Sequence, residues 1–131
     1  IYIKILIYMS ICYLPASIGE LYDKYSILLI KKEKIKNIDK LNHITKELNY
    51  LQPLVNKYPL ELHLIEKIKN INKQLWEIED NIRIKEIKCE FDDEFINLAR
   101  LVYKTNDERY SIKTTINCVY FSEIKEIKSY L

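Results

Sequence analysis

Two Glu-x-x-Asp pairs, Glu20 with Asp23 and Glu77 with Asp80, set carboxylates one helical turn apart. Oxygen pairs at that spacing are able to hold Mg²⁺. Cations recur in a matching rhythm. Glu20, Lys24 and Lys31 are separated by four and seven residues and share one helix face, with Asp23 at its edge. Trp76, Asp80 and Arg83 align in the same way, flanked by Glu77 and Glu79, and a third stripe runs Asn106, Arg109, Lys113 and Asn117, preceded by Arg100 and Tyr103. Were these stripes to converge between helices, the cations would hold an anionic group and the carboxylates a metal ion. The plain alternative is a solvated surface of ion pairs, each contributing about a few tenths of a kcal/mol.

Other chemistries find no residues to carry them. His43 and His63 have no neighbouring cysteine, second histidine or nucleophile, so neither a zinc site nor a triad is expected, and no metal ligand set is assigned. Gly19 is the only glycine, which excludes a phosphate-cradling glycine loop. Cys12, Cys89 and Cys118 are odd in number and far apart. They read as small apolar residues of a protein in a reducing compartment, and the localisation expected is cytoplasmic. The 21 basic and 19 acidic side chains are interspersed, with no polybasic arm, so neither nucleic acid nor an acidic membrane surface is the expected partner.

The elements that must position the stripes are helices. One glycine and three prolines in 131 residues fall far below ordinary usage of roughly 7% and 5%. The chain therefore lacks the punctuation of sandwiches and barrels, while 48% hydrophobic residues suffice for one core. Ser17 followed by Glu20 is a capping box that starts a first helix near Ile18, with a stripe of Ile18, Leu21, Tyr25, Leu28 and Ile35, ended by Asn37. Asp39 is expected to cap a second helix with seam Leu41, Ile44, Leu48, Leu51 and Val55, in which Pro53 should produce a kink or an end, with a boundary near Gln52 or Lys57. Ile65, Ile68, Ile71, Leu75, Ile78 and Ile82 mark the longest helix, from about Leu60 to Cys89. Asp92 or Asp93 caps a fourth with Phe95, Leu98 and Val102. Thr105 with Glu108 repeats the capping-box pattern and opens either a fifth helix or a single irregular one from Asp92 to Tyr120. The expected fold is all-α, an antiparallel up-and-down bundle of four to five helices over residues 15–131.

Residues 1–14 are apolar except for Lys4 and Ser10 and are expected to form a short extended segment lying on the bundle. The run is shorter than the roughly 20 residues of a membrane span, although a cleaved signal ending at "PAS" is an alternative reading. Met9 reads as a natural start, which leaves Ile1 to Tyr8 upstream of it.

"SIGELYDKYSILLIKKEKI", "LWEIEDNIR", "FINLARLVYKTNDERYSIKTTIN" and the closing "KSY" together resemble an uncharacterised bacterial family, domain of unknown function 6165. The resemblance spans Pro15 to Tyr130 and departs at Ser26, where threonine is expected. It implies no mechanism. It does imply a set of residues: Glu20, Asp23, Lys24, Lys31, Trp76, Glu79, Asp80, Arg100, Tyr103, Asn106, Asp107, Arg109 and Lys113. It also implies the company of glycan-assembly proteins such as glycosyltransferases, and so a role in surface-polysaccharide production. Trp76, the single tryptophan, adjoins the seam residue Leu75, and packing rather than ligand stacking is its expected role. Two functions follow. The first is a binding or accessory module whose polar inter-helix face engages an anionic small molecule, such as a sugar nucleotide, or a protein partner. The second is a small Mg²⁺-dependent enzyme acting on a nucleotide or other phosphorylated substrate, since the Glu-x-x-Asp pairs are similar to those of the all-α nucleotide pyrophosphatases. No cofactor is assigned.

Overall fold

Four helices carry the regular structure of residues 10–130, the residues described by the computed structural model: α1 (Ile18–Lys34), α2 (Ile38–Lys57), α3 (Leu62–Ile87) and α4 (Asp93–Tyr120). No strand occurs among the described residues. The chain is an all-α bundle in which α1 packs against each of the other three, α3 packs along α4, and α2 lies on α1 alone.

Each start has a local cause. Ser17 accepts from the Glu20 amide at 3.1 Å, Asn37 from the Lys40 amide at 3.0 Å and Asp92 from the Phe95 amide at 3.0 Å, each satisfying an amide that the helix leaves without a partner. The cap of α2 is thus Asn37 rather than Asp39, which lies one residue inside the helix. Pro53 stands within α2, and the helix continues past it to Lys57. α3 ends at Ile87, and Cys89 beyond it takes a left-handed φ of 55°. The connection to α4 is tied by Lys85, whose ammonium meets Glu90, Asp92 and Glu94 at 2.9–3.0 Å.

No fifth helix starts at Thr105. Thr105 is buried in phase with Val102, Ile112 and Ile116, so α4 runs through it unbroken. The described residues after Tyr120 are not helical. Phe121 adopts φ 51°, its amide bonds back to Cys118, and the Ser122 amide reaches the Asn117 carbonyl at 3.0 Å, which closes α4 in a left-handed cap. The apolar N-terminal expectation falls partly on residues 1–9, outside the described residues; Ser10 to Ala16 are exposed and neither helical nor strand.

The main core joins Leu21 and Tyr22 of α1 to Leu64, Ile68 and Ile71 of α3 and Ile116 of α4. A second cluster joins Leu28 of α1 to Ile44 and Leu48 of α2. Full burial of side chains such as Ile68 and Ile116 contributes on the order of 2 kcal/mol each. The Tyr22 hydroxyl crosses the core and donates to the Tyr58 carbonyl at 2.6 Å. Between Leu75 and Thr105 no side chain is buried. At 1.5 Å per residue α3 and α4 span about 40 Å against about 25 Å for α1, so the far half of their hairpin lacks a third helix to cover it.

Gly19 marks a close approach of α1 to α4. A Cβ there would stand 2.7 Å from both the Lys113 carbonyl oxygen and Asn117 Oδ1. Gly19→Ala is therefore expected to cost about 1–3 kcal/mol in urea unfolding. Cys89→Gly, which removes a side chain from a left-handed position, is expected to add roughly 1 kcal/mol by the same measurement.

Candidate functional site

The close approach at Gly19 brings the polar stripe of α4 against α1, and α3 closes the third side. Asn117 Oδ1 accepts from the Gly19 amide at 2.7 Å, which sets the register of α1 on α4. One turn back along α4, Lys113 extends its ammonium toward α1. It lies 2.5 Å from Glu20, 3.6 Å from Asp23 and 3.0 Å from Glu126, which belongs to the segment after α4. The Lys113 side chain is only 8% exposed, so its charge is stabilised chiefly by these carboxylates rather than by water. Burial alone would lower its pKa; hydrogen bonds to Glu20 and Glu126 outweigh that and hold it above the ordinary lysine value.

A further turn along α4 places Arg109 beside α3. Its guanidinium donates to Asn106 at 2.7 Å and to Asn72 at 3.3 Å, both neutral amide oxygens. Among the described residues no carboxylate stands within 4 Å of it. Asn72 is the hinge of the cluster. Its amide nitrogen donates to Asp23 at 2.8 Å and to Ser26 at 2.8 Å, while its oxygen receives Arg109. Ser26, fully buried, donates a hydrogen bond from its hydroxyl to the Asp23 carbonyl at 2.8 Å. Among the described residues no buried side-chain polar atom lacks a partner.

The expected residues thus divide. Glu20, Asp23, Asn106, Arg109 and Lys113 come together. Glu20 does not complete the capping box, because its carboxylate turns to Lys113. Lys24 is exposed and pairs with Glu47 of α2 at 2.7 Å, and Lys31 is half-buried further along α1. Trp76, Glu79, Asp80, Arg100 and Tyr103 lie on the uncovered half of the α3–α4 hairpin, where Trp76 and Glu79 are half-buried and the other three exposed. Glu79 faces Arg83 at 3.8 Å, one turn along its own helix. Asp107 is exposed on α4.

Ser26, Asn72 and Glu126 join the cluster without having been assigned to the site, and Asn117 joins it from the expected α4 stripe. Two of them carry a readable signal: Ser26 falls in phase with buried Tyr22 and Ile30, and Asn72 with buried Ile68 and Leu75. A polar residue in phase with an apolar seam must find a partner inside. A broad cleft of about 1070 Å³ opens elsewhere, between the segment before α1, α2 and the end of α4; of the expected residues only Glu20 and Lys24 line it.

Glu126 has its pKa held below the ordinary carboxylate value, first by the hydrogen bond from Lys113 and against the effect of burial. A depressed carboxyl pKa contributes stability above the unfolded value of about 4.3, and this is lost as pH falls through the folded value. The raised Lys113 value contributes below about 10.4 and is lost as pH rises through the folded one. Glu126→Gln is accordingly expected to flatten the fall in melting temperature on acidification below about pH 4.3. Asn72→Ala, which strands Asp23 and Ser26, is expected to cost about 2–3 kcal/mol in urea unfolding.

The family model described as "Family of unknown function (DUF6165)" matches residues 14–131. No curated protein and no solved structure matches the chain.

Proposed function

We propose, for a chain that belongs to the family of unknown function DUF6165, that it is a helical binding module whose α1–α3–α4 seam receives a carboxylate or phosphate group. One observation carries this reading. The Arg109 guanidinium is half-buried, and two neutral amides occupy two of its five N–H donors. A planar cation in that setting is suited to a bidentate anion; Lys113 one turn away is a second cation, already faced by Glu20, Asp23 and Glu126.

The wider setting remains part of the proposal. Cys12, Cys89 and Cys118 are free and exposed, in keeping with a reducing, cytoplasmic compartment, and among the described residues no helix is long and apolar enough to cross a membrane. The likeness to a bacterial family that keeps company with glycan-assembly proteins makes a nucleoside diphosphate sugar the first ligand class to test, followed by an acidic segment of a partner protein. The competing Mg²⁺ reading draws on two carboxylate pairs. Of these, Glu20 and Asp23 already face the Lys113 ammonium, and Asp80 is exposed eight residues beyond Asn72, about 12 Å along α3.

Calorimetric titration with pyrophosphate and with a uridine diphosphate sugar tests the reading. Saturable binding to the unaltered chain is expected, with at least a tenfold loss, about 1.4 kcal/mol, in Arg109→Gln. Equal affinity in the two proteins would remove Arg109 from the site. A rise in melting temperature with Mg²⁺ alone, abolished by Glu20→Gln, would instead favour the enzyme.

A further inference from the structure

We propose that the segment following α4 is a built-in occupant of the Arg109–Lys113 site, in which the Glu126 carboxylate holds the place that an external carboxylate or phosphate group takes. The proposal rests on the anion-binding reading above and adds its regulation.

The path of the chain supports it. The left-handed cap at Phe121 turns the backbone out of α4. Ser122 Oγ then accepts from the Ile18 amide at 3.4 Å, Glu126 reaches Lys113 at 3.0 Å, and the Lys128 ammonium lies 5.3 Å from the centre of the Tyr110 ring. Ser122, Glu126 and Lys128 meet Asn117, Lys113 and Tyr110 of α4 in turn, so the segment runs back along the helix. Its attachment is by side chains. Among the described residues, no backbone hydrogen bond joins it to a helix after Ser122. The Glu126 carboxylate is the partly exposed member of its ion pair, 36% exposed against 8% for Lys113, and the only other tie is a cation–π contact, so the carboxylate is open to exchange with an anion from solvent.

The three carboxylates around Lys113 are also unequal. Glu20 and Asp23 are fixed on α1, and Asp23 is further held by Asn72. Glu126 alone stands on non-helical chain, so it alone can leave while Lys113 keeps two partners and the bundle keeps its core. Departure of Glu126 frees one contact of the Lys113 ammonium, one helical turn from Arg109. A dianionic group entering there replaces one carboxylate and reaches the unused donors of Arg109.

The test uses the full chain, unaltered and as Glu126→Gln, titrated with pyrophosphate at constant ionic strength, together with limited trypsin digestion at Lys125 and Lys128. Glu126→Gln is expected to bind pyrophosphate at least fivefold more tightly. Pyrophosphate is expected to speed cleavage of the unaltered chain at these two lysines, while an equal ionic strength of sodium chloride does not. Equal affinity of the two proteins would overturn the built-in occupant and leave the anion site standing. Weaker binding by Glu126→Gln, or cleavage unchanged by a saturating probe, would also overturn it. No binding by either protein would overturn both readings.

Discussion

The bundle depends on keeping one ammonium charged in a place that water scarcely reaches. Lys113 lies under α1, and moving its charge out of water costs several kcal/mol unless carboxylates replace the lost hydration. Glu20 and Asp23 supply that replacement only if α1 sits at one height and one rotation on α4. Gly19 permits the distance, and Asn117 fixes the height by accepting the Gly19 amide. Apolar burial in the cluster that includes Leu21, Ile68 and Ile116 supplies most of the driving force, but such contacts tolerate sliding and small rotations. The polar contacts do not tolerate them, because a displaced Lys113 would be a buried charge without partners.

Asn72 extends the same constraint to α3. A neutral amide is the one side-chain type able to face a carboxylate with its nitrogen and a guanidinium with its oxygen. Aspartate in its place would crowd Asp23, and leucine would leave Asp23 Oδ1 and the Ser26 hydroxyl oxygen without the donor they share. The three helices that meet here are therefore specified by a chain of hydrogen bonds from Asn106 through Arg109 and Asn72 to Asp23, which faces the charge of Lys113 at 3.6 Å. α2 takes no part in it. Its packing on α1 through Ile44, Leu48 and Leu28 is apolar.

Much of this architecture was legible in the residues, for a physical reason. Helix starts and seams are local and periodic, so Ser17, Asp92 and the Ile68–Ile71–Leu75 stripe announce themselves within a few residues. The Thr105–Glu108 pair misleads because a capping pattern cannot show whether its threonine is buried within a continuing helix. Asp39 misleads because Asn37, two residues earlier, makes the same cap sooner. The α4 stripe of Asn106, Arg109 and Lys113 is visible in the sequence, but its partners are scattered from Glu20 and Asp23 on α1 through Asn72 on α3 to Glu126 after α4 and lie beyond any local pattern. Glu126 belongs to no periodic element and is placed only by where the left-handed turn at Phe121 sends the chain.

The division of the expected residues follows from helix length. α1 ends at Lys34 while α3 and α4 run on as a pair, so a charged residue on their inner stripe is buried only where α1 still covers it. Below that limit, Arg109 and Lys113 must be matched by internal groups. Above it, Asp80, Arg100 and Tyr103 meet solvent and need no partner within the chain. In the covered half, carboxylates balance Lys113 in excess, whereas Arg109 meets only neutral amides. That imbalance distinguishes the site from an ordinary buried ion pair: the carboxylates hold the bundle in register, and the guanidinium keeps donors that register does not require.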